Sequence, residues 1–171
     1  VPKAASFAAG ISIVYITLTV IWALMLWGAG MPMFDSIAHA MTTLATGGYS
    51  TKSESLAAFN SSNIEIIIIF GMLVGSLPFV HYLTLSKNGL KNLIKDDQVK
   101  LFLTLVFFIV VIMSLYLSSN NIPYLEALRL ASFNVISIIT GTGFGTSDFS
   151  NWGGFPTTIL LILMFVGGCA G

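Results

Sequence analysis

The chain has 171 residues, of which 56% are hydrophobic and only 8% are charged, and its formal net charge is zero. A soluble domain carries roughly 25% charged residues and a disordered chain is polar, so both classes are excluded. The balanced charge argues against a nucleic-acid-binding surface, and the single cysteine, Cys169, excludes an internal disulfide framework. The composition therefore predicts a protein of the lipid bilayer, with no nucleic-acid partner.

Four apolar stretches are predicted to be membrane-spanning helices, because about 20 apolar residues cross the core of a bilayer. In chain order they cover residues 6–27, 64–85, 101–117 and 156–171. Pro78 is expected to kink or break the second of them near its inner end. The last stretch is short, and the chain opens on Val1 and not on Met. We therefore expect a piece of a larger polypeptide, cut inside its last helix.

Lysines set the predicted orientation, because basic residues concentrate in the cytoplasmic loops of membrane proteins. Lys87, Lys91, Lys95 and Lys100 all lie between the second and third predicted spans. Residues 87–100 are therefore predicted to form a cytoplasmic loop of a multi-pass protein in the cell membrane. The connections before the second and the fourth spans are then expected on the outer side.

Those two outer connections begin with apolar runs that are too short to cross the membrane. The runs are Met33–Leu44 and Tyr124–Ile139, and a segment rich in glycine and threonine follows each of them. This pattern predicts a half-helix that enters the membrane and returns. Non-helical backbone at that depth is tolerated only when it is buried in protein or lines a water-filled path. The pattern therefore indicates a pore.

The two connections also align with each other when the sequence is shifted by 95 positions. Residues 46–51, Thr-Gly-Gly-Tyr-Ser-Thr, then fall on residues 141–146, Gly-Thr-Gly-Phe-Gly-Thr. We call these the first and the second Gly/Thr segment. With the flanking helices they predict an all-α membrane protein built from two helix–pore-loop–helix repeats, as in potassium channels.

The Gly/Thr segments have the composition of an ion filter made of backbone carbonyl groups. Rings of carbonyl oxygens can replace the water shell of potassium, and glycine allows the dihedral angles that aim successive carbonyls at one axis. The C-terminal end of each half-helix adds partial negative charge. One such segment alone is more often a plain turn, but two in the same register favour a filter. The predicted filter residues are Thr46, Gly47, Gly48, Tyr49, Gly141, Thr142, Gly143 and Phe144.

Asp148 follows the second Gly/Thr segment. It either concentrates cations at the outer mouth of the pore or is a solvated loop acid, and the sequence leaves both interpretations open.

These residues resemble the TrkH/TrkG/KtrB superfamily of potassium transport subunits, and most closely its TrkH members. The resemblance is carried by the Gly/Thr segments, by VISIITGTGFGTSDFSNW over residues 135–152, and by GGCAG over residues 167–171. The family implies four repeats around one pseudo-fourfold pore. Residues 1–86 resemble its repeat two, residues 87–100 the cytoplasmic loop, and residues 101–171 repeat three with a truncated last helix. Repeats one and four of the same pore are absent from this chain.

The resemblance also implies potassium uptake through the filter, a homodimer of pore subunits, a cytoplasmic nucleotide-binding regulatory subunit, and no cofactor. Glycine at Gly48 and Gly143 would favour potassium over sodium, whereas Gly141 departs from the hydroxyl or amide that is usual there. Gly167, Gly168 and Gly171 would begin an intramembrane loop that acts as a gate. Close helix packing through small residues is the alternative for these three glycines.

Other functions are weaker on sequence grounds. Common enzyme motifs such as His-Glu-x-x-His, the Walker loop and Gly-x-Ser-x-Gly do not occur, so no enzyme is predicted. A secondary transporter with broken helices needs polar groups within its spans, and these spans supply few. A non-conducting membrane assembly protein is the alternative if the 171 residues are a complete gene product. Arg129 is expected to pair with Glu126 or to reach the outer interface, and Glu65 to be solvated there.

Overall fold

The computed structural model describes residues 2–88 and 95–168. Short 3-10 turns at Ser55–Phe59 and Phe149–Trp152 precede the helices that begin at Ser62 and Gly154. The prediction of an all-α protein is confirmed. The α-helices in these ranges are α1 (Pro2–Gly28), α2 (Met33–Leu44), α3 (Ser62–Gly75), α4 (Phe79–Asn88), α5 (Asp97–Ser119), α6 (Tyr124–Ile139) and α7 (Gly154–Leu163).

Two of these helices are long and apolar enough to cross a membrane, namely Ala4–Gly28 within α1 and all of α5. At 1.5 Å per residue, a helix of about 25 residues extends over about 38 Å. They contain the first and third predicted spans and extend beyond them at both ends. Asp96 caps the start of α5, because its carboxylate accepts hydrogen bonds from the backbone N–H groups of Gln98 and Val99.

The short helices α2 and α6 have the bounds predicted for the half-helices. Each begins directly after a proline, Pro32 or Pro123, whose missing N–H costs a helix start nothing. One residue separates the end of each helix from the Gly/Thr segment that follows it.

The second predicted span is not one helix, because α3 ends at Gly75 and α4 begins at Phe79. The break falls at Pro78, whose ring removes a backbone donor and clashes with the preceding turn. The fourth predicted span is also shorter than expected. Helix α7 ends at Leu163, and Gly167 has a φ of +70°, which is outside helical geometry. Residues 169–171 lie outside the described part of the chain.

The order of a long helix, a short helix, a 3-10 turn and a further helix occurs twice along the chain. Helix α1 packs along α2, and α5 packs along α6, while α3 contacts α1, α2 and also α6. The close approach of α3 depends on Gly71 and Gly75, because a β-carbon at Gly75 would lie 2.7 Å from the carbonyl oxygen of Leu44. Helix α3 therefore joins the two halves. The largest buried side chains are those of Leu26, Met31, Leu44, Leu56, Ile68, Met72, Met113, Leu117, Phe133, Ile139, Leu160 and Leu163.

Candidate functional site

The two Gly/Thr segments meet backbone to backbone. Gly48 has a φ of +65°, and a β-carbon built on it would collide with the carbonyl oxygen of Thr142 and lie 2.9 Å from the carbonyl carbon of the same residue. Gly141 and Gly143 also have positive φ angles, of +72° and +84°, but a β-carbon on either would meet no atom within 4 Å. The predicted glycines thus serve two needs, a close approach at Gly48 and left-handed backbone at all three positions.

One residue of the preceding short helix forms two hydrogen bonds to the backbone of each segment. In the first, the Thr42 hydroxyl donates to the carbonyl oxygen of Tyr49 at 2.9 Å, while the Thr42 carbonyl accepts from the N–H of Gly47 at 2.7 Å. In the second, the Ser137 hydroxyl donates to the carbonyl oxygen of Phe144 at 2.7 Å, while its carbonyl accepts from the N–H of Gly143 at 3.1 Å. Thr42 and Ser137 are the pair that the 95-residue shift aligns.

A second aligned pair holds the outer part of each segment. His39 Nε2 lies 3.0 Å from the Ser50 hydroxyl, and Asn134 Nδ2 lies 3.5 Å from the Thr146 hydroxyl and 3.4 Å from that of Ser147. Both side chains are buried. The sequence alignment of these residues therefore corresponds to similar contacts in the structure.

The second segment also binds the first half of the chain. The Gly145 carbonyl accepts from the N–H of Leu56 at 3.1 Å, and the Gly145 N–H donates to the Ser55 hydroxyl at 3.2 Å. At the end of the first segment, the Thr51 hydroxyl donates to Asp35 Oδ1 at 2.7 Å, and Lys52 Nζ lies 3.4 Å from Asp35 Oδ2. The second segment is thus bound to the 3-10 turn of the first half, and the end of the first segment is bound to α2.

A cavity of about 410 Å³ lies at the C-terminal ends of α2 and α6. Ala45 and Thr46, which follow α2, and Thr140, which caps α6, all line it. A helix C-terminus carries roughly half an elementary negative charge. The cavity therefore receives partial negative charge from two directions, which favours a cation. Its other lining residues are Ile11, Tyr15, Leu44, Gly75, Ser76, Leu77, Phe79 and Gly168.

The remaining predicted site residues lie at the edges of this arrangement. A β-carbon on Gly168 would lie 3.4 Å from Ser76 Cβ and 3.8 Å from Thr140 Cα, so Gly168 borders the cavity next to the break between α3 and α4. Gly167 takes a positive φ just after α7, and Gly171 lies outside the described residues. Asp148 is exposed and accepts a hydrogen bond from the Asn151 amide at 3.1 Å.

The two aromatic residues of the segments differ in burial. Phe144 is 3% exposed, whereas Tyr49 is 79% exposed. The ring of Phe144 stacks on that of His39, a residue of the first half of the chain. Alignment of the two positions in sequence does not indicate this difference, because it depends on what surrounds each half.

The expectation for Arg129 and Glu65 was wrong. Arg129 Nη1 lies 2.6 Å from Glu65 Oε2, so Arg129 of α6 pairs with α3 and not with Glu126. The Glu65 side chain is 8% exposed and is not solvated as predicted. Sequence reasoning also missed Ser76 and Thr140 as cavity residues. The only available signals were the nearby Pro78 and the position of Thr140 directly before the second segment.

Comparisons with known proteins identify the family of the chain. The family model of TrkH, a cation transport protein, matches residues 3–171. The Trk system potassium uptake protein TrkH of Salmonella typhimurium is 38% identical over 173 residues, covering 99% of this chain and 36% of the relative. The Trk system potassium uptake protein TrkG of Escherichia coli K12 is 32% identical over 145 residues, covering 84% of this chain and 30% of the relative.

The fold also matches a solved transporter. The crystal structure of the potassium transporter TrkH from Vibrio parahaemolyticus superposes with a TM-score of 0.94 at 31% sequence identity, covering 99% of this chain and 37% of that one. The chain spans about a third of the length of these relatives. The family is one of membrane cation transporters and not of enzymes. Because the family model covers residues 3–171, the chain belongs to the TrkH family of cation transport proteins.

Proposed function

We propose that this chain forms part of a pore for potassium uptake, in which the two Gly/Thr segments supply backbone carbonyl oxygens to a selectivity filter. Residues 1–86 and 101–171 would be two helix–pore-loop–helix repeats of a four-repeat pore. The filter residues would be Thr46, Gly47, Gly48 and Tyr49 in one repeat and Gly141, Thr142, Gly143 and Phe144 in the other.

The observation that carries this proposal is the matched anchoring of the segments. A carbonyl ring replaces the hydration shell of an ion only if its oxygens stay in place when the ion leaves. The hydroxyls of Thr42 and Ser137 donate to the carbonyls of Tyr49 and Phe144, which the 95-residue shift aligns. Their carbonyls accept from the N–H groups of Gly47 and Gly143, which lie one position apart in that alignment. Two plain turns would not need equivalent anchors 95 residues apart.

Electrostatics at the cavity favours a pore over a coupled transporter. The residues that line it in the described part of the chain offer hydroxyl and carbonyl oxygens and include no carboxylate. A secondary transporter with broken helices is expected to hold its coupling ion at polar or charged groups beside the breaks. Partial charges from two helix ends attract a cation without holding it as tightly as a full charge does, which suits fast passage.

The surroundings of the pore follow from the same proposal. Tyr49, 79% exposed here, would be covered by a neighbouring repeat of the kind that covers Phe144. Residues 87–100 would face the cytoplasm, where a nucleotide-binding regulatory subunit would act on a homodimer in the cell membrane. Gly168, which borders the cavity, would begin the gate together with Gly167 and Gly171, and Asp148 would lie at the outer mouth.

The test is a chimera in which residues 3–171 replace the aligned region of the Salmonella typhimurium relative. It is expressed in a bacterium that lacks potassium uptake, and growth is measured against external potassium. Rubidium, as a potassium tracer, and sodium uptake are measured in the same cells, and their rate ratio is the discrimination ratio. The decisive variant is Gly143→Ser, because Gly143 has open space for a side chain. We expect the chimera to restore growth and Gly143→Ser to lower the ratio.

Gly30→Ser is the matched control. Gly30 also has a positive φ, of +97°, and open space within 4 Å, but it lies between α1 and α2 and away from the segments. It therefore has the same backbone strain without touching the proposed filter, and its discrimination ratio should equal that of the parent. Equal ratios in the parent, Gly143→Ser and Gly30→Ser, with full growth rescue, would show that the segment is a structural turn.

A further inference from the structure

His39 occupies a central position between the two Gly/Thr segments. Its side chain is fully buried in α2, with an exposed fraction of 0%. Both ring nitrogens have hydrogen-bond partners, and the ring packs against two aromatic rings, one stacked and one edge to face. A buried histidine whose ring nitrogens are hydrogen-bonded and whose ring is packed has a fixed orientation. It can therefore hold the residues that it contacts in place.

The hydrogen bonds of His39 assign its proton and attach the first segment. Nδ1 lies 2.7 Å from the carbonyl oxygen of Asp35, which can only accept, so Nδ1 carries the hydrogen. In the neutral ring Nε2 then accepts from the Ser50 hydroxyl at 3.0 Å. The Ser50 oxygen in turn accepts from the N–H of Lys52 at 3.1 Å. The outer end of the first segment is thus connected through one ring to the backbone of α2.

The flat side of the same ring reaches the second segment. It stacks on Phe144, with ring centroids 5.9 Å apart and an angle of 25° between planes. Its edge contact is Phe59 of the 3-10 turn, at 5.3 Å and 89°. The carbonyl of Phe144 is the one that Ser137 holds. A shift of the His39 ring would therefore move a proposed filter residue of the other repeat.

The residue aligned with His39 is Asn134. Comparing the two distinguishes the local hydrogen bonds of His39 from the contact of its ring with the second segment. Asn134 Nδ2 donates to the carbonyl of Leu130 at 2.9 Å, as Nδ1 of His39 does to that of Asp35, and it also reaches the hydroxyls of its own segment. An asparagine can therefore perform the local anchoring. Histidine adds a ring that contacts the other segment.

We propose that His39 is a positioning residue whose ring couples the first Gly/Thr segment to Phe144 of the second, and so helps to set discrimination between potassium and sodium. This inference rests on the proposed filter. Stacked aromatic pairs and buried hydrogen-bonded networks couple measurably in double-mutant cycles.

The test uses the same chimera and the same discrimination ratio. His39→Asn installs the residue of the aligned position, keeps local hydrogen bonding and removes the ring. We expect it to lower the ratio about threefold or more, with the amount of protein in the membrane measured separately. Phe144→Leu should act similarly, and the double variant should lose no more than the stronger single variant. His39→Phe, which keeps a ring against Phe144, should retain more of the ratio than His39→Asn.

Each outcome of these measurements either supports the coupling through His39 or overturns it. An unchanged ratio in His39→Asn at normal membrane levels, or fully multiplicative losses in the double variant, would overturn the coupling. If His39→Asn does not reach the membrane, Phe144→Leu decides, and retention of the parent ratio overturns the proposal. If Gly143→Ser lowers the ratio while these variants leave it unchanged, only the role of His39 is rejected. If Gly143→Ser also has no effect, the filter itself is rejected.

Discussion

Gly48 lies against the backbone of the second Gly/Thr segment, and this predicts how its substitution differs from that of Gly143. Both residues have positive φ angles, so alanine costs about 1–2 kcal/mol of backbone strain at either. Only at Gly48 does the new β-carbon also collide with the Thr142 carbonyl. We expect Gly48→Ala to lower the melting temperature of the purified chimera in detergent clearly more than Gly143→Ala does.

The comparison removes the contribution of φ, because that is shared by the two variants. Equal melting temperatures for Gly48→Ala and Gly143→Ala would mean that the segments do not touch at Gly48 in the assembled protein. The discrimination ratio should fall in both variants, since both positions belong to the proposed filter.

The start of α5 provides a prediction for pH. Asp96 accepts a hydrogen bond from His81 Nε2 at 2.8 Å and from the backbone N–H groups of Gln98 and Val99. These contacts, His81 first, hold the pKa of Asp96 below its ordinary value of 3.8. The folded state therefore favours the charged carboxylate. Its stabilising contribution is complete above that value and is lost as the pH falls through the lowered pKa.

Variants of Asp96 measure this contribution. Asp96→Ala removes both the cap and the contact to His81, and should lower the melting temperature of the chimera at pH 7 and still do so at pH 5. Asp96→Asn keeps a capping oxygen and should lower it less. The difference between parent and Asp96→Ala should shrink only below pH 3.8. A difference that has already vanished at pH 5 would contradict the direction of the pKa shift.

The short helices α2 and α6 could be predicted to the residue because local signals set both ends. Pro32 and Pro123 mark the starts, and the glycines that follow mark the ends. The 95-residue shift likewise aligns Thr42 with Ser137, although only the structure shows that both are anchors. Such features depend on residues that are close in sequence, so they can be predicted from the sequence.

Features that depend on distant parts of the chain could not be predicted. The break between α3 and α4 has a local cause in Pro78. No residue near the break in sequence indicates that it lies beside the cavity. Arg129 was matched with Glu126 because they are three residues apart, whereas its real partner is 64 residues away. The opposite burial of Tyr49 and Phe144 likewise depends on which half of the chain each one faces.

Many large apolar side chains point outward from the assembled helices. On α1 they include Ile13 at 65%, Ile16 at 60% and Leu24 at 58% exposure, and on α5 Phe107 at 63%. Such a surface is unsuited to water and is what lipid or neighbouring membrane helices would cover. The same surface explains why the buried polar contacts between the halves matter. In an apolar environment, helices associate through close packing and through a few polar links, not through a hydrophobic driving force.

The ion pair between Glu65 and Arg129 is such a link, since it joins α3 of one half to α6 of the other at 2.6 Å. Glu65→Gln would leave a partly buried guanidinium without its charged partner, at a cost of about 1–3 kcal/mol. The exchanged pair Glu65→Arg with Arg129→Glu should recover part of that loss. Lys100→Gln is the control, because Lys100 and Asp97 form an exposed pair within one helix that is worth about 0.3 kcal/mol. Thermal unfolding of the chimera measures the stability of all three variants.

Because α6 carries Ser137, loss of the ion pair should also lower the discrimination ratio, whereas Lys100→Gln should leave the ratio unchanged. A loss in Glu65→Gln no larger than in Lys100→Gln would mean that packing alone holds the halves together.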